Sequence, residues 1–328
     1  MDRRAPLARL ARLLARPLLG LALLAAPAGR AAAQAPTGTL AVFNAGSLAA
    51  PFRDLLDAFA RRTPGITSRQ ENAGSLETAR KLTELGRIPD VVGVADYQVI
   101  PSLLIPRQAT WYVTFVRNSM VLVYSDRSIG AREVGPANWW QVLLRPGVRT
   151  GRSDPSLDPN GYRAIMVTQL AERHYGQTGL AGRLLAAMPA RYVRPKEADL
   201  IALVQAGELD YAWSYRSIAL TIGLPYVSLP PEVDLGDPDR AAWYAQARVR
   251  VPGGTRAGAD SITIGGESIV YALTIPTRAP NPVAAEAFVR FVFSPDGQAI
   301  LARHGFQLLD HPVAGGPGKP PAGILPTP

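Results

Sequence analysis

The sequence predicts an α/β protein of two lobes, each a mostly parallel sheet flanked by helices. Three observations lead to this prediction. Hydrophobic residues make up 47% of the 328 residues and charged residues 19%, a balance typical of soluble globular proteins. A single core usually stops growing at about this length, and the chain then divides. From Leu40 onward, short apolar runs alternate with helical periodicities, as they do in α/β proteins.

The first elements read as repeated strand–helix units. Residues 40–44 predict a buried strand, and a helix that ends near Arg62 follows. Its apolar face recurs at three- and four-residue spacing, at Phe52, Leu55, Leu56 and Phe59. Further strands are predicted at residues 66–71 and 91–94, with a helix through Leu82 and Leu85 between them. Right-handed crossovers would place these strands in one largely parallel sheet.

The middle of the chain indicates a passage to a second lobe. Strands predicted at residues 111–115 and 120–124 flank Arg117-Asn118-Ser119, a candidate crossing point. Later elements are predicted as helices at 138–144, 161–175, 195–206 and 282–293 and as strands at 209–215 and 269–275. The helix at 195–206 has proline in its first turn and Gly207 just beyond its end, the usual helix-boundary signals.

These elements suggest a division of the chain into five segments. The predicted segments are a signal peptide (1–33), the first part of lobe 1 (34–118), lobe 2 (119–264), a return segment that completes lobe 1 (265–312) and a tail (313–328). The tail is rich in proline and glycine and is predicted to be disordered.

The N-terminus has the pattern of an export signal. Arginines precede an apolar stretch at residues 18–26, and Ala31-Ala32-Ala33 then precedes Gln34, so cleavage is expected after Ala33. The apolar run is well short of the roughly 20 residues that span a bilayer, which disfavours a retained anchor. The Arg3-Arg4 pair is also compatible with export by the twin-arginine pathway, so the general secretory pathway and the twin-arginine pathway both remain possible. A periplasmic or extracytoplasmic location is therefore predicted.

Charge and composition exclude several classes of function. The predicted signal peptide contains six arginines and one aspartate, and its removal leaves 29 basic and 25 acidic residues, a net charge of about +4. Nucleic-acid binding is therefore not expected. The chain has no cysteine, which excludes thiolate metal sites and thiol nucleophiles, and its three histidines show no zinc-ligand spacing.

One pentapeptide occurs twice, as Asn44-Ala45-Gly46-Ser47-Leu48 and as Asn72-Ala73-Gly74-Ser75-Leu76. Each copy lies where a predicted strand ends and a helix begins. Helix N-termini at the carboxyl edge of an open sheet favour anions, because their N–H groups are unpaired and the helix dipole is positive there. Ser47 and Ser75 could instead simply cap their helices. Duplication at equivalent positions favours an anion site.

The second lobe offers two acids and a tyrosine. Asp158 lies in a proline-punctuated loop before a helix, Glu197 in the first turn of another helix, and Tyr215 at the end of a strand. Each also has a structural interpretation: Asp158 as a turn or cap residue, Glu197 as an acid that matches the helix dipole, Tyr215 as a core aromatic. From the residues alone these structural interpretations are preferred.

Several runs of the chain together resemble one family, the periplasmic tungstate/molybdate-binding proteins of the WtpA type. The similarity extends in order from about Leu40 to Phe306. It is carried by Ala45-Gly46-Ser47-Leu48, Ala73-Gly74-Ser75, Ala95-Asp96-Tyr97, Asn138-Trp139-Trp140, Asp158-Pro159-Asn160-Gly161-Tyr162-Arg163, Arg194-Pro195-Lys196-Glu197, Phe288-Val289-Arg290-Phe291-Val292 and Ser294-Pro295-Asp296-Gly297-Gln298. One departure is a shorter stretch between Tyr162 and Arg194 than in archaeal members, which puts the surface of the second lobe in doubt.

The resemblance implies a type II periplasmic-binding fold and the capture of tungstate or molybdate for the membrane permease of an ABC importer. It implies that Ser47, Ser75 and Tyr215 hold the oxyanion, while Asp158 and Glu197 approach the metal and raise its coordination from four to six. It implies a monomer that is not an enzyme and has no cofactor besides the bound tungstate or molybdate.

Other functions remain open. The same fold could bind sulfate, phosphate or an organic anion, because fold does not determine ligand. Paired acids could serve an exported glycoside hydrolase, although the sequence near Asp158 and Glu197 lacks a density of aromatics for sugar binding. No G-x-S-x-G motif supports an esterase. A purely structural surface protein is a further alternative.

Overall fold

The computed structural model describes residues 35–253 and 260–325. The predicted signal peptide, residues 1–33, lies outside these ranges, and so do the last three residues of the predicted tail. Within the described ranges, every helix is too short or too polar to cross a lipid bilayer.

The described residues form fourteen strands and ten α-helices. The strands are β1 (Gly38–Ala45), β2 (Ile66–Ala73), β3 (Val91–Val94), β4 (Tyr112–Arg117), β5 (Met120–Tyr124), β6 (Thr150–Ser153), β7 (Val193–Arg194), β8 (Tyr211–Tyr215), β9 (Tyr226–Ser228), β10 (Arg248–Pro252), β11 (Ser261–Gly265), β12 (Val270–Thr274), β13 (Gln307–Leu308) and β14 (Ala314–Gly315). The helices are α1 (Ala49–Arg62), α2 (Ser75–Thr83), α3 (Trp139–Leu143), α4 (Pro159–Tyr175), α5 (Leu180–Ala186), α6 (Glu197–Ala206), α7 (Arg216–Ile222), α8 (Ala241–Tyr244), α9 (Pro282–Val292) and α10 (Pro295–Arg303).

The first sheet has the strand order β13-β4-β12-β3-β1-β2, and β14 also pairs with β4. β1 is parallel to β2 and to β3, as the strand–helix units predicted. β12 is antiparallel to β3 and β4, because it begins at the end of the sheet where β4 finishes and runs back in the opposite direction. The α/β class is confirmed, and in this sheet the parallel pairing is confined to β1, β2 and β3.

The second sheet has the order β7-β6-β8-β5-β9 and is also mixed. β6 is parallel to β7 and β8, whereas β5 is antiparallel to β8 and β9. The chain passes from one sheet to the other between β4 and β5, at Asn118 and Ser119, so these two strands are neighbours in sequence but not in a sheet. A separate antiparallel ribbon of β10 and β11 precedes the return to the first sheet.

Aromatic packing ties the return segment to the first sheet. The predicted apolar face of α1 is buried, and its Phe52 and Phe59 rings lie 6.0 and 5.6 Å from the ring of Phe288 in α9. These edge-on contacts bury α9 beside α1. The first lobe is therefore built from both ends of the chain.

The prediction of a disordered tail is wrong for the part that the structure describes. Ala314–Gly315 pairs with β4, and the side chain of Ile324 is buried. Thr114 of β4 donates its N–H to the Val313 carbonyl at 2.9 Å. β13 covers only one end of the outer edge of β4, so the other end is free to pair with the tail despite its proline and glycine content.

Candidate functional site

The two pentapeptide copies lie side by side at the carboxyl edge of the first sheet. Their strands pair in register, with Asn44 opposite Asn72 and Ala45 opposite Ala73. Ser47 follows β1 in a short 3-10 helix before α1, and Ser75 is the first residue of α2. Neither serine caps a helix through its side chain. The capping interpretation is therefore wrong for both residues.

Three buried hydroxyls of the predicted site each accept a hydrogen bond from the protein. Ser75 Oγ accepts from the Ala95 N–H at 2.9 Å, and Ser47 Oγ accepts from the Tyr271 hydroxyl at 2.9 Å. Tyr215 Oη accepts from Arg163 Nη1 at 2.9 Å. In the part of the chain that the structure describes, none of these three hydroxyl hydrogens has a protein acceptor. All three therefore remain available as donors to a guest.

The orientation of Ser47 is set by a relay from the crossing point between the lobes. Asn118 Oδ1 accepts the N–H groups of Ser119 and Ser217, at 3.0 and 3.2 Å, which fixes the amide so that Nδ2 is the donor. Asn118 Nδ2 donates to Tyr271 Oη at 3.2 Å, and Tyr271 in turn donates to Ser47. The sequence offered no signal for Tyr271, although Asn118 lies in the predicted crossing point.

The two predicted acids are buried beside each other in the second lobe. Asp158 is the N-cap of α4, where it accepts the Asn160 N–H at 3.2 Å. Its other oxygen accepts the Glu197 N–H at 3.2 Å. Burial raises the pKa of Asp158 to about 6. The capping interpretation of Asp158 thus holds, but it does not account for the contact with α6.

Glu197 is only 1% exposed, although it occupies the first turn of α6. Its Oε1 accepts hydrogen bonds from Ser214 Oγ and from the Tyr215 N–H, the latter at 2.7 Å. No described residue donates to Oε2. Burial, and then the neighbouring charge of Asp158, raise the pKa of Glu197 well above its usual range. An acid that served only the helix dipole would gain nothing from this costly burial.

The lobes are closed over the site. Arg163 of α4 donates to the Ala95 carbonyl at 2.7 Å and lies 3.3 Å from Asp96 Oδ2, and the Tyr162 hydroxyl donates to the same carboxylate. On the other side, the Glu77 N–H of α2 donates to the Leu157 carbonyl at 3.2 Å. These contacts exclude solvent from the groups between them.

The structure brings all five predicted site residues into one connected group. Ser47 bonds Tyr271, whose ring lies 6.1 Å from that of Tyr215. Arg163 bridges Tyr215 and the carbonyl of Ala95, whose N–H holds Ser75. Tyr215 reaches Asp158 through Glu197. Among the described residues no cluster of three or more acidic or histidine side chains could hold a metal cation. The group instead combines hydroxyl donors with two acids.

Comparison with known sequences places the chain among exported binding proteins. A family model described as bacterial extracellular solute-binding protein matches residues 40–307. An uncharacterised solute-binding protein of Petrotoga mobilis is 45% identical over 276 residues, covering 84% of this chain and 85% of the relative. The molybdate/tungstate-binding protein WtpA of Pyrococcus abyssi is 35% identical over 306 residues, covering 85% and 87%.

Solved structures agree on the fold. The sulfate-binding protein SubI of Mycobacterium tuberculosis matches with a TM-score of 0.61 at 15% identity, over 83% of this chain and 87% of that one. The periplasmic molybdate-binding protein of Azotobacter vinelandii matches with a TM-score of 0.59 at 17% identity, over 83% and 100%. At these identities the similarity establishes the periplasmic-binding fold and leaves the ligand open.

Proposed function

This chain belongs to the bacterial extracellular solute-binding protein family of ABC transporters, and from that premise we propose that it captures tungstate or molybdate between its two lobes. Members of this family act outside the cytoplasm and bind solutes rather than transform them. The resemblance to WtpA proteins over more than four-fifths of the chain supports a tetrahedral metal oxyanion as the solute.

The observation that carries the proposal is the hydrogen bonding of the three buried hydroxyls. Ser47, Ser75 and Tyr215 each accept from a protein donor and each keep a hydrogen without a protein acceptor among the described residues. A tetrahedral oxyanion has four oxygens that only accept. Hydrogen bonds to a charged acceptor are about twice as strong as neutral ones, so preoriented hydroxyls suit such a guest.

The acids supply selectivity in this proposal. A carboxylate beside a dianion in a desolvated cleft is repulsive by several kcal/mol unless another interaction offsets it. Direct bonding of Asp158 and Glu197 to a hard, high-valent metal centre would provide that offset, because such centres favour carboxylate oxygen. Glu197 Oε2, which no described residue engages, is the oxygen we assign to this bond. Sulfur and phosphorus do not readily expand their coordination, so sulfate and phosphate would be rejected.

The proposal extends to partners. We expect a monomer that delivers its ligand to a membrane permease, binds no nucleic acid and needs no cofactor beyond the transported oxyanion. Residues 1–33 would be removed on export, so the functional protein starts near Gln34.

A ligand panel tests the function directly. The protein without residues 1–33 is expected to bind tungstate and molybdate in isothermal titration calorimetry and to give no heat with sulfate or phosphate. Comparable binding of sulfate would contradict the proposed selectivity and favour a sulfate carrier on the same fold. If none of the four inorganic anions bound, a thermal-shift screen of organic anions would identify the solute class instead.

Glu197→Gln separates metal bonding from a structural role. The glutamine Oε1 can still accept from Ser214 and from the Tyr215 N–H, so the melting temperature should change little. Loss of the carboxylate should weaken tungstate binding by about a hundredfold, as expected when a charged contact worth roughly 3 kcal/mol is removed.

The matched control is Asp199→Asn on the same helix, a substitution that makes the same change in charge. The Asp199 side chain is partly exposed beside Lys196. This variant should bind tungstate as the unmodified protein does. A large fall in stability of Glu197→Gln without loss of affinity would return Glu197 to a purely structural role.

A further inference from the structure

Arg163 is a buried cation with partners in both lobes. It belongs to α4 of the second lobe and is 3% exposed. Its Nη1 donates to the Ala95 carbonyl, and its Nη2 lies 3.3 Å from the carboxylate of Asp96; both partners directly follow β3 of the first lobe. Separation of the lobes would break both contacts.

The same guanidinium holds a proposed ligand of the oxyanion. Nη1 of Arg163 also donates to Tyr215 Oη at 2.9 Å. Because arginine has no acceptor, the Tyr215 oxygen must accept this bond and its hydrogen must point elsewhere. The described residues give that hydrogen no other acceptor. The direction of the Tyr215 hydroxyl hydrogen therefore depends on where Arg163 is held.

The first lobe is built to hold Arg163 in place. Asp96 is itself fixed by the Gln98 N–H of its own lobe at 3.0 Å, and it also accepts from the hydroxyl of Tyr162, the neighbour of Arg163 in α4. A buried ion pair adds little net stability, since desolvation offsets much of its attraction, but its geometry is specific. The contacts of Arg163 are thus better suited to set an orientation than to stabilise the closed form.

We propose that Arg163 is a positioning residue that links lobe closure to oxyanion binding: on closure, Ala95 and Asp96 fix its guanidinium, which then turns the Tyr215 hydroxyl hydrogen toward the anion. This inference rests on the proposed function, because Tyr215 must be a ligand for Arg163 to act through it. It assigns to Arg163 a role in affinity without direct contact with the guest.

A double-mutant cycle on tungstate affinity tests the link, with calorimetry as the measurement. Arg163→Gln should weaken binding by about tenfold or more in the otherwise unmodified protein, the effect of losing a charged hydrogen bond. In a Tyr215→Phe background, the same change should cost less than about threefold, because its target hydroxyl is already gone. Equal losses in both backgrounds would overturn the proposal, and so would unchanged affinity of Tyr215→Phe.

Arg80→Gln is the matched control. Arg80 also spans the lobes, donating from α2 to the carbonyls of Ser156 and Pro252 at 2.7 and 2.6 Å, but it does not touch Tyr215. Its effect on affinity should therefore depend on Tyr215 less than that of Arg163→Gln does, since Arg80 acts on closure and reaches Tyr215 only through the contacts of Arg163. If the coupling between Arg80 and Tyr215 were as large as that between Arg163 and Tyr215, the double-mutant cycle would be measuring lobe closure in general. That result would overturn the specific link through Arg163.

Two further measurements keep the outcomes distinct. Should Arg163→Gln fail to fold, Asp96→Asn removes the charge of one first-lobe partner while retaining Arg163 and its bond to the Ala95 carbonyl, and its effect should show the same dependence on Tyr215. An unmodified protein that binds no tungstate would refute the proposed function itself. An unmodified protein that binds tungstate with additive losses would refute only the role of Arg163.

Discussion

The two identical pentapeptides, residues 44–48 and 72–76, have different surroundings although their strands pair in register. A Cβ added to Gly46 would meet no atom within 4 Å. A Cβ added to Gly74 would lie 2.2 Å from the Leu157 carbonyl oxygen of the second lobe. Neither glycine has a positive φ, so neither is required for a tight turn. A side chain would therefore fit at Gly46, whereas at Gly74 only glycine leaves room for the second lobe.

The serines of the two copies differ in the same way. Ser75 is held by a backbone group, the Ala95 N–H of its own lobe. Ser47 is held by a side chain, Tyr271, which lies 224 residues further along the chain. The identical sequences therefore place both serines at the same edge of the sheet, but residues elsewhere in the chain determine which hydrogen bonds each serine makes.

The largest expected effect separates the two glycines. Gly74→Ala would place its methyl group against the Leu157 carbonyl and close to Asp158, so the lobes could not close fully. Overpacking of this kind costs about 1–3 kcal/mol or more, and tungstate affinity should fall by about a hundredfold. Calorimetry measures the change.

Gly46→Ala is the control within the same repeat, and its affinity should equal that of the unmodified protein. Equal behaviour of the two variants would show that the lobes do not meet at Gly74 when the anion is bound.

A smaller difference is expected between the serines. Ser75→Ala and Ser47→Ala each remove one donor to the anion, and each should weaken tungstate binding by about tenfold. Their stabilities should differ, because Ser75→Ala leaves the fixed Ala95 N–H without its partner, at a cost of about 1–3 kcal/mol, whereas Ser47→Ala frees only the rotatable hydroxyl hydrogen of Tyr271. Thermal unfolding of the ligand-free proteins measures this second effect.

Ser68→Ala on the exposed face of β2 is the control for both measurements, and it should change neither affinity nor stability. Full tungstate affinity in both Ser47→Ala and Ser75→Ala would contradict the assignment of the two serine hydroxyls as ligands.

Much of this arrangement follows from the sequence because it depends on local pattern. The apolar spacing of α1 and the parallel pairing of β1 with β2 are local features, and together they place Ser47 and Ser75 at one edge. The contact of Gly74 with Leu157 and the bond from Tyr271 to Ser47 join distant parts of the chain. No periodicity encodes them, so they emerge only from the folded lobes.

The same limit explains where the structure departs from the predicted elements. The first sheet is mixed because β12 returns from the second lobe, and the ordered conformation of residues 313–325 depends on a free edge of β4. Both outcomes are decided by which strands remain unpaired after the rest of the chain has folded. Strand pairing between distant segments is therefore the part of the fold that local sequence reasoning misses.

The smallest expected effect tests whether the first copy depends on its distant neighbour. Tyr271→Phe removes the hydroxyl that donates to Ser47 but leaves the ring in place, so Ser47 should lose its fixed orientation and tungstate affinity should fall by about threefold. In a Ser47→Ala background the same change should have no further effect. Tyr244→Phe is the control, because that buried hydroxyl bonds the Pro231 carbonyl, away from the proposed ligands. An additive loss would mean that Tyr271 acts on the anion site by a route other than Ser47.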